Sequence, residues 1–198
     1  GSGSGIASFF LKNVICSDVR KSLNINIIFN AYEDKLKKKI NSIILNDVFH
    51  HLHRPNIVIK NLRRSLKKEG HLVMLEPYLS PVSYIFYIII SFVGPKEKLG
   101  FFKKVDLSLK KRGLKKQFDF VMQPQKFFKS NSKQKNVKIE YISEYFFIFT
   151  GGLSFHKLQK FVPKFIYNFL LKFDKSLNES NNIPIKKFFA TKMLIVLK

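Results

Sequence analysis

The sequence predicts an α/β protein built on a parallel sheet. Three observations carry this reading: short β-branched runs recur along residues 14–75, an amphipathic helical pattern separates two of them, and each run stops on polar residues, as buried parallel strands do. Residues 14–16 (VIC) and 25–29 (INIIF) are the first two runs, closed by Ser17-Asp18 and by Asn30, and residues 42–45 (SIIL) are the third. Pro55 stands where a helix accepts proline in its first turn, and Ile59, Leu62 and Leu66 follow at spacings of three and four among Lys and Arg. Lys67-Lys68-Glu69-Gly70 is expected to end that helix, with Gly70 in a left-handed turn, ahead of a fourth strand at residues 71–75 (HLVML) that stops at Glu76-Pro77. Strand, helix and strand at this spacing imply right-handed crossovers and parallel pairing. From Tyr78 to about residue 136 the rhythm breaks, which reads as an insertion or lid. The sheet resumes at residues 137–142 (VKIEYI), and a helix over about 154–174 leads to a last strand at 191–197 (TKMLIVL).

Composition bounds the function. The chain has 198 residues and a hydrophobic fraction of 45%, enough for a real core, which excludes a disordered tail. Its net charge is +23, yet only five of its 36 basic residues are Arg, and the abundance of Asn, Ile and Phe with no Trp matches A/T-biased coding as well as function. A single cysteine, Cys16, forbids an internal disulfide and a multi-thiolate zinc site, which fits a reducing, cytoplasmic setting. His53, His71 and His156 show no metal-ligand spacing, so no metal is expected.

The chain opens on GSGSG, a composition shared by cloning linkers and by nucleotide-binding glycine loops. Its context favours the loop: a short helix at residues 6–12 follows, then a strand, then Asp18 at 17 positions after Gly1, close to the offset at which an acid bonds ribose hydroxyls.

At this point the residues resemble the class I S-adenosylmethionine-dependent methyltransferases, of the broad bacterial methyltransferase-domain kind, in order along nearly the whole chain. GSGSG resembles that family's glycine loop, with Gly1, Gly3 and Gly5, and Asp18 its ribose-binding acid. Asn30-Ala31 is similar to the Asp-Ala pair that holds the adenine edge, and the amide oxygen of Asn30 can still accept a hydrogen bond there. The most specific motif is Asn46-Asp47-Val48-Phe49-His50-His51-Leu52, similar to the segment after the family's fourth strand, and residues 66–78 (LKKEGHLVMLEPY) resemble its helix, turn and fifth strand. Residues 150–154 (TGGLS) and 190–198 also resemble one bacterial subgroup. The resemblance implies a Rossmann-like parallel sheet with an antiparallel last strand, helices on both faces and a lid after the fifth strand. It also implies S-adenosylmethionine as cofactor. Residues 1–77 would form the cofactor-binding half, 78–136 the lid or substrate-binding insertion, and 137–198 the strands and helix that complete the same domain.

The largest departure is at the start. In the family the first strand precedes the glycine loop and lies between the second and fourth strands, whereas nothing precedes Gly1 here. Leaving out a central strand costs about 1–3 kcal/mol for each unsatisfied backbone group, so an N-terminally incomplete sequence is expected, or else direct pairing of the second and fourth strands.

Methyl transfer is an in-line displacement that depends mainly on near-attack geometry, and a base matters only for acceptors that must lose a proton. His50 is the candidate base, against a purely packing role, with His51 behind it; Glu76 reads as a loop anchor. Tyr78, Tyr84, Phe86, Tyr87, Phe92, Phe101 and Phe102 suit an apolar acceptor pocket, and core packing explains them as well. The apolar run of 12 residues at 82–93 is too short to span a bilayer, which needs about 20, and followed by the basic stretch 96–116 it suggests a buried or lid helix, or else peripheral contact with anionic membrane. The expected function is methyl transfer to a small hydrophobic acceptor. The competing readings are a basic, non-enzymatic module for membrane or nucleic acid, disfavoured for nucleic acid by the scarcity of arginine, and a methyltransferase fold without activity.

Overall fold

A computed structural model describes residues 5, 7–85, 123–130, 136–149 and 163–198. The fold is α/β, with parallel strand pairs and helices. Its elements are α1 (Ala7–Phe10), β1 (Ser17–Asp18), β2 (Ile27–Ile28), β3 (Ile40–Asn46), a 3-10 turn (Phe49–His51), α2 (Pro55–Arg64) and β4 (Leu66–Pro77). They are followed by α3 (Gln123–Ser130), β5 (Val137–Ile142), α4 (Tyr145–Phe149), α5 (Lys164–Glu179), α6 (Ile183–Phe189) and β6 (Lys192–Leu197).

Among the described residues the strands form two sheets, β1-β2 and β3-β4-β6-β5. β1 runs parallel to β2 and β3 parallel to β4, as expected. The antiparallel last strand follows from three hydrogen bonds. Tyr78 N–H donates to Thr191 O and Thr191 N–H to Ile142 O, both at 2.9 Å, so the start of β6 meets the ends of β4 and β5. At the other end Lys198 N–H donates to Asn136 O at 3.1 Å.

The expectation that the early strands are fully buried is not met. Ile28 is 59% exposed, and of β3 only Leu45 is buried. The reason is topological: among the described residues β2 and β3 are both edge strands, each with a neighbour on one side alone. Direct pairing of the second and fourth strands, the alternative to an incomplete sequence, is not seen among the described residues.

The helix that begins at Pro55 ends at Arg64, burying Val58 and Leu62 four apart, and Leu66 already belongs to β4. The turn expected at Gly70 is instead a bulge within β4. Ile40 pairs with Leu66 and Ser42 with His71, so β4 advances five residues while β3 advances two. A side chain at Gly70 would meet the carbonyl oxygens of Asn41 and Lys67 and the Leu66 Cβ, each at 3.0 Å, so glycine serves close approach here rather than a left-handed turn. Beyond the bulge β4 alternates strictly, burying Leu72, Met74 and Glu76.

The chain divides into two compact units. The first holds the described residues up to Leu75 together with Asn136–Lys138 and Ile195–Lys198. The second holds the described residues of Glu76–Lys135 and Ile139–Leu194. Within the second unit Asp174 of α5 is buried and accepts from Ser143 Oγ at 2.6 Å and from the N–H groups of Tyr145 and Phe146 at 3.1 and 2.6 Å. It caps α4, whose first N–H groups have no partner within so short a helix. Most of the apolar run at 82–93 and the basic stretch 96–116 lie outside the described residues. Among the described residues no helix is long and apolar enough to cross a membrane.

Candidate functional site

The site residues expected from the sequence that fall in the described part of the chain lie in the first unit, on the loops where parallel strands end. Ligands of α/β sheets bind at such exits because the strand carries the chain to the edge and the loop is free to turn polar groups outwards. At the exit of β1, Asp18 is half-buried, and its Oδ1 accepts the Arg20 N–H at 3.1 Å, an Asx turn that fixes the carboxylate at the loop's start. Its carbonyl accepts from Phe29 N–H at 2.9 Å and continues the ladder to β2.

At the exit of β2, Asn30 repeats the device. Its Oδ1 accepts from Tyr32 N–H at 3.1 Å, and its own N–H donates to Asp34 Oδ2 at 2.6 Å. Asn61 of α2 clamps this turn from below, its Nδ2 donating to Tyr32 O at 2.6 Å and to Ala31 O at 3.4 Å.

At the exit of β3, Asn46 is exposed and Asp47 adopts φ +53°, a left-handed conformation that Asp and Asn tolerate best among residues with a Cβ. The Asp47 N–H donates to Leu75 O at 2.9 Å, so the chain leaves the ladder only at this residue. Val48 then starts the 3-10 turn, in which Phe49 and His50 are buried, His50 to 2% exposure, while His51 is exposed with its ring centroid 4.1 Å from that of His50. The accessible imidazole at this edge is therefore His51, packed against His50.

The exits of β2 and β3 lie side by side, because the Tyr32 hydroxyl accepts the His53 N–H at 2.9 Å. The structure thus brings Asn30 and Ala31 together with the loop that carries Asp47, Val48 and His50. Gly5 is placed differently. It is buried at φ +70°, and a Cβ there would lie 2.3 Å from Asn24 O, so only glycine fits. Its carbonyl accepts from Ser8 N–H, Ser8 Oγ and Cys16 Sγ at 3.1, 2.8 and 3.5 Å. Asn24 and Cys16 precede β2 and β1, so Gly5 is held at the entry of that strand pair, whereas Asp18 and Asn30 stand at its exit. Gly1 and Gly3 lie outside the described residues.

Sequence reasoning passed over Tyr32, Asp34 and Asn61. Asn61 carried a signal, since a poor helix former inside an amphipathic helix is a side chain with another task. In the second unit, Tyr78 is buried against Tyr141, edge to face at a centroid distance of 4.9 Å. Burial pushes the Tyr78 phenol up to about 12, Tyr141 adds to the effect, and a hydrogen bond with Gln125 opposes it. Gln125 also pairs with the backbone of Leu79, accepting from its N–H at 3.0 Å and donating to its carbonyl at 3.2 Å. Of the other aromatic lid candidates, Tyr84 is described and exposed, and Phe86, Tyr87, Phe92, Phe101 and Phe102 lie outside the described residues. Glu76 is fully buried at the end of β4. Among the described residues no group of three His, Cys, Asp or Glu could hold a metal ion.

No protein-family model matches the chain, and no curated protein matches it. Among solved structures it is similar to the plantazolicin methyltransferase BpumL, crystallised with a pentazolic desmethylPZN analogue and SAH, at TM-score 0.46 and 11% identity over 97% of this chain and 70% of that one. A second BpumL complex, with a triazolic analogue and SAH, gives TM-score 0.40 and 12% identity over 89% of this chain and 60% of that one. The methyltransferase BamL, with the triazolic analogue and SAH, gives 0.35 and 12% over 82% and 55%.

Proposed function

We propose that the strand exits of the first unit bind S-adenosylmethionine and that the protein is a class I methyltransferase acting on a small hydrophobic acceptor. The observation that carries the reading is the series of three successive exits from parallel strands, each opening on a polar residue whose backbone is fixed: Asp18 and Asn30 by Asx turns, Asp47 by its ladder bond to Leu75. The strand order supports the class. With β1 to β4 taken as the second to fifth strands of the doubly wound order 3-2-1-4-5, the observed neighbours β2-β1 and β3-β4 match its pairs 3-2 and 4-5.

When bound, S-adenosylmethionine supplies a methyl group on a sulfonium centre. The chain's own residues bind and orient. Asp18 accepts hydrogen bonds from ribose hydroxyls. Asn30 retains a second lone pair on Oδ1, beside the one engaged by Tyr32, for the adenine amino group. Ala31, Asn46, Asp47 and Val48 line the same exits. For an acceptor that must lose a proton, the accessible His51 imidazole takes it, with the buried His50 ring packed against it.

A second reading is favoured by one observation, the seating of Gly5 at the strand entry: a methyltransferase fold that has lost its cofactor. Titration calorimetry with S-adenosylmethionine and S-adenosylhomocysteine separates the two. Binding is expected, weakened about tenfold or more by Asp18→Ala, because a hydrogen bond to a charged group is worth about 1.5–3 kcal/mol. Absence of heat with both ligands leaves the second reading, and unchanged affinity in Asp18→Ala removes that residue from the site.

A further inference from the structure

We propose that the α5–α6 face of the second unit is a docking surface for anionic lipid, independent of the methyl-transfer reading. Phe165, Phe169 and Phe173 recur every four residues along α5 and so form one stripe on the helix. The stripe continues onto α6 through ring contacts: Phe169 stacks on Phe173 at 6.0 Å, Phe173 meets Phe189 at 5.6 Å, and Phe189 meets Phe188 at 5.1 Å. Phe173 and Phe189 are half-buried and root the stripe, whereas Phe165 is 74% exposed, Phe169 64% and Phe188 49%. The core-facing side of α5 is a different one, carrying Leu170, Asp174 and Leu177.

Charge decides what such a ridge fits. Lys164, Lys172 and Lys175 stand on α5, while on α6 Lys186 donates to the Asn178 carbonyl at 2.7 Å and Lys187 stands over the Tyr141 ring. Against them the two helices carry two acids. Asp174 is buried and engaged by Ser143, Tyr145 and Phe146, and Glu179 lies 3.9 Å from Lys175. An exposed aromatic stripe on helices that carry an excess of lysine matches the boundary between acyl chains and anionic headgroups, where the rings enter the hydrocarbon edge and ammonium groups such as that of Lys172 remain at the phosphates.

The absence of tryptophan from the sequence provides a clean probe. Phe188→Trp is expected to show a blue-shifted emission with phosphatidylcholine–phosphatidylserine vesicles and none with phosphatidylcholine alone. In flotation, the unsubstituted protein is expected to bind the anionic vesicles at low salt and to weaken at high salt. Phe165→Ser/Phe169→Ser and, separately, Lys164→Gln/Lys172→Gln are each expected to weaken binding about tenfold, with circular dichroism unchanged because all four side chains are exposed. Three results overturn the proposal: no anionic-vesicle binding, binding indifferent to both double substitutions, or a lipid-free dimer that the Phe substitutions dissociate. Capture of polyanionic RNA with the same dependence on Phe165 and Phe169, without vesicle binding, overturns it in favour of a nucleic-acid surface.

Discussion

The phenolic oxygen of Tyr32 accepts the backbone N–H of His53 at 2.9 Å, tying the loop after β2 to the loop after β3. Together with the Asn61 clamp on Ala31 and Tyr32, this bond aligns two strand exits that belong to different sheets.

Tyr32→Phe removes the acceptor and keeps the ring. The bond is solvent-exposed, so the expected loss of stability is small, about 0.5–1 kcal/mol by urea denaturation. The larger effect is expected on ligand binding, a weakening of several-fold for S-adenosylhomocysteine by calorimetry, because the two loops no longer share a fixed spacing. Equal affinities in the two proteins would show that the loops are aligned by other contacts.

Asp174→Ala leaves the Ser143 hydroxyl and the N–H groups of Tyr145 and Phe146 without their acceptor. Each buried unsatisfied donor costs about 1–3 kcal/mol, and the loss is expected toward the upper part of that range for the three together, since water can reach some of them. Asp174→Asn keeps one acceptor oxygen and is expected to fall between the two. A loss below about 0.5 kcal/mol in the alanine variant would mean that α4 is held without its cap.

Stability at alkaline pH is expected to depend on Tyr78. Its phenol is raised to about 12 from the ordinary 10.0, with burial the first cause and Tyr141, itself raised by burial, the second. A group whose folded pKa is raised contributes its full stabilisation below the unfolded value and loses it as pH climbs to the folded one. Stability should therefore fall between about pH 10 and 12, and Tyr78→Phe should flatten that fall relative to the unsubstituted protein. Parallel curves for the two would show that the phenol ionises equally in both states.

What was legible in the sequence was what periodicity and punctuation encode. The proline-started helix at Pro55, strand β5 and the final strand lie where their apolar patterns put them, within a residue or two at most ends. The break at Gly70 was legible as well, although its form was not, because a bulge and a turn both require a residue without Cβ, and only the pairing of Ser42 with His71 tells them apart. Helices α3, α4 and α6 escaped notice. α4 is five residues long and held by a carboxylate 29 positions away, a contact no local pattern reveals. α6 did carry a signal in Asn182, whose side chain accepts the Ile185 N–H, with Pro184 in the first turn. In the site, Asp18 and Asn30 were legible as polar stops to apolar runs. The position of Gly5 was not, because a glycine-rich composition specifies backbone freedom without specifying which end of a strand it serves.

The last prediction concerns the divide between the sheets. β1 and β3 are the facing members of the two fragments in the doubly wound order, and apolar side chains such as Ile28 and Ile44 remain exposed on the strands of this region. A parallel strand of about five residues, the usual strand length, would supply a partner to both edges at once. A synthetic peptide of this kind, alternating Val and Ile and ending in an acid and added in excess, is expected to pair with these edges. Amide exchange should then slow across Ser17–Asp18, Ile27–Ile28 and Ile40–Asn46 together, and the thermal midpoint should rise by several degrees, since 1 kcal/mol shifts a domain of this size by about 2–4 °C. A Gly-Ser peptide of the same length serves as the control and is expected to leave both measurements unchanged. Equal protection with the two peptides would show that neither edge accepts an added strand.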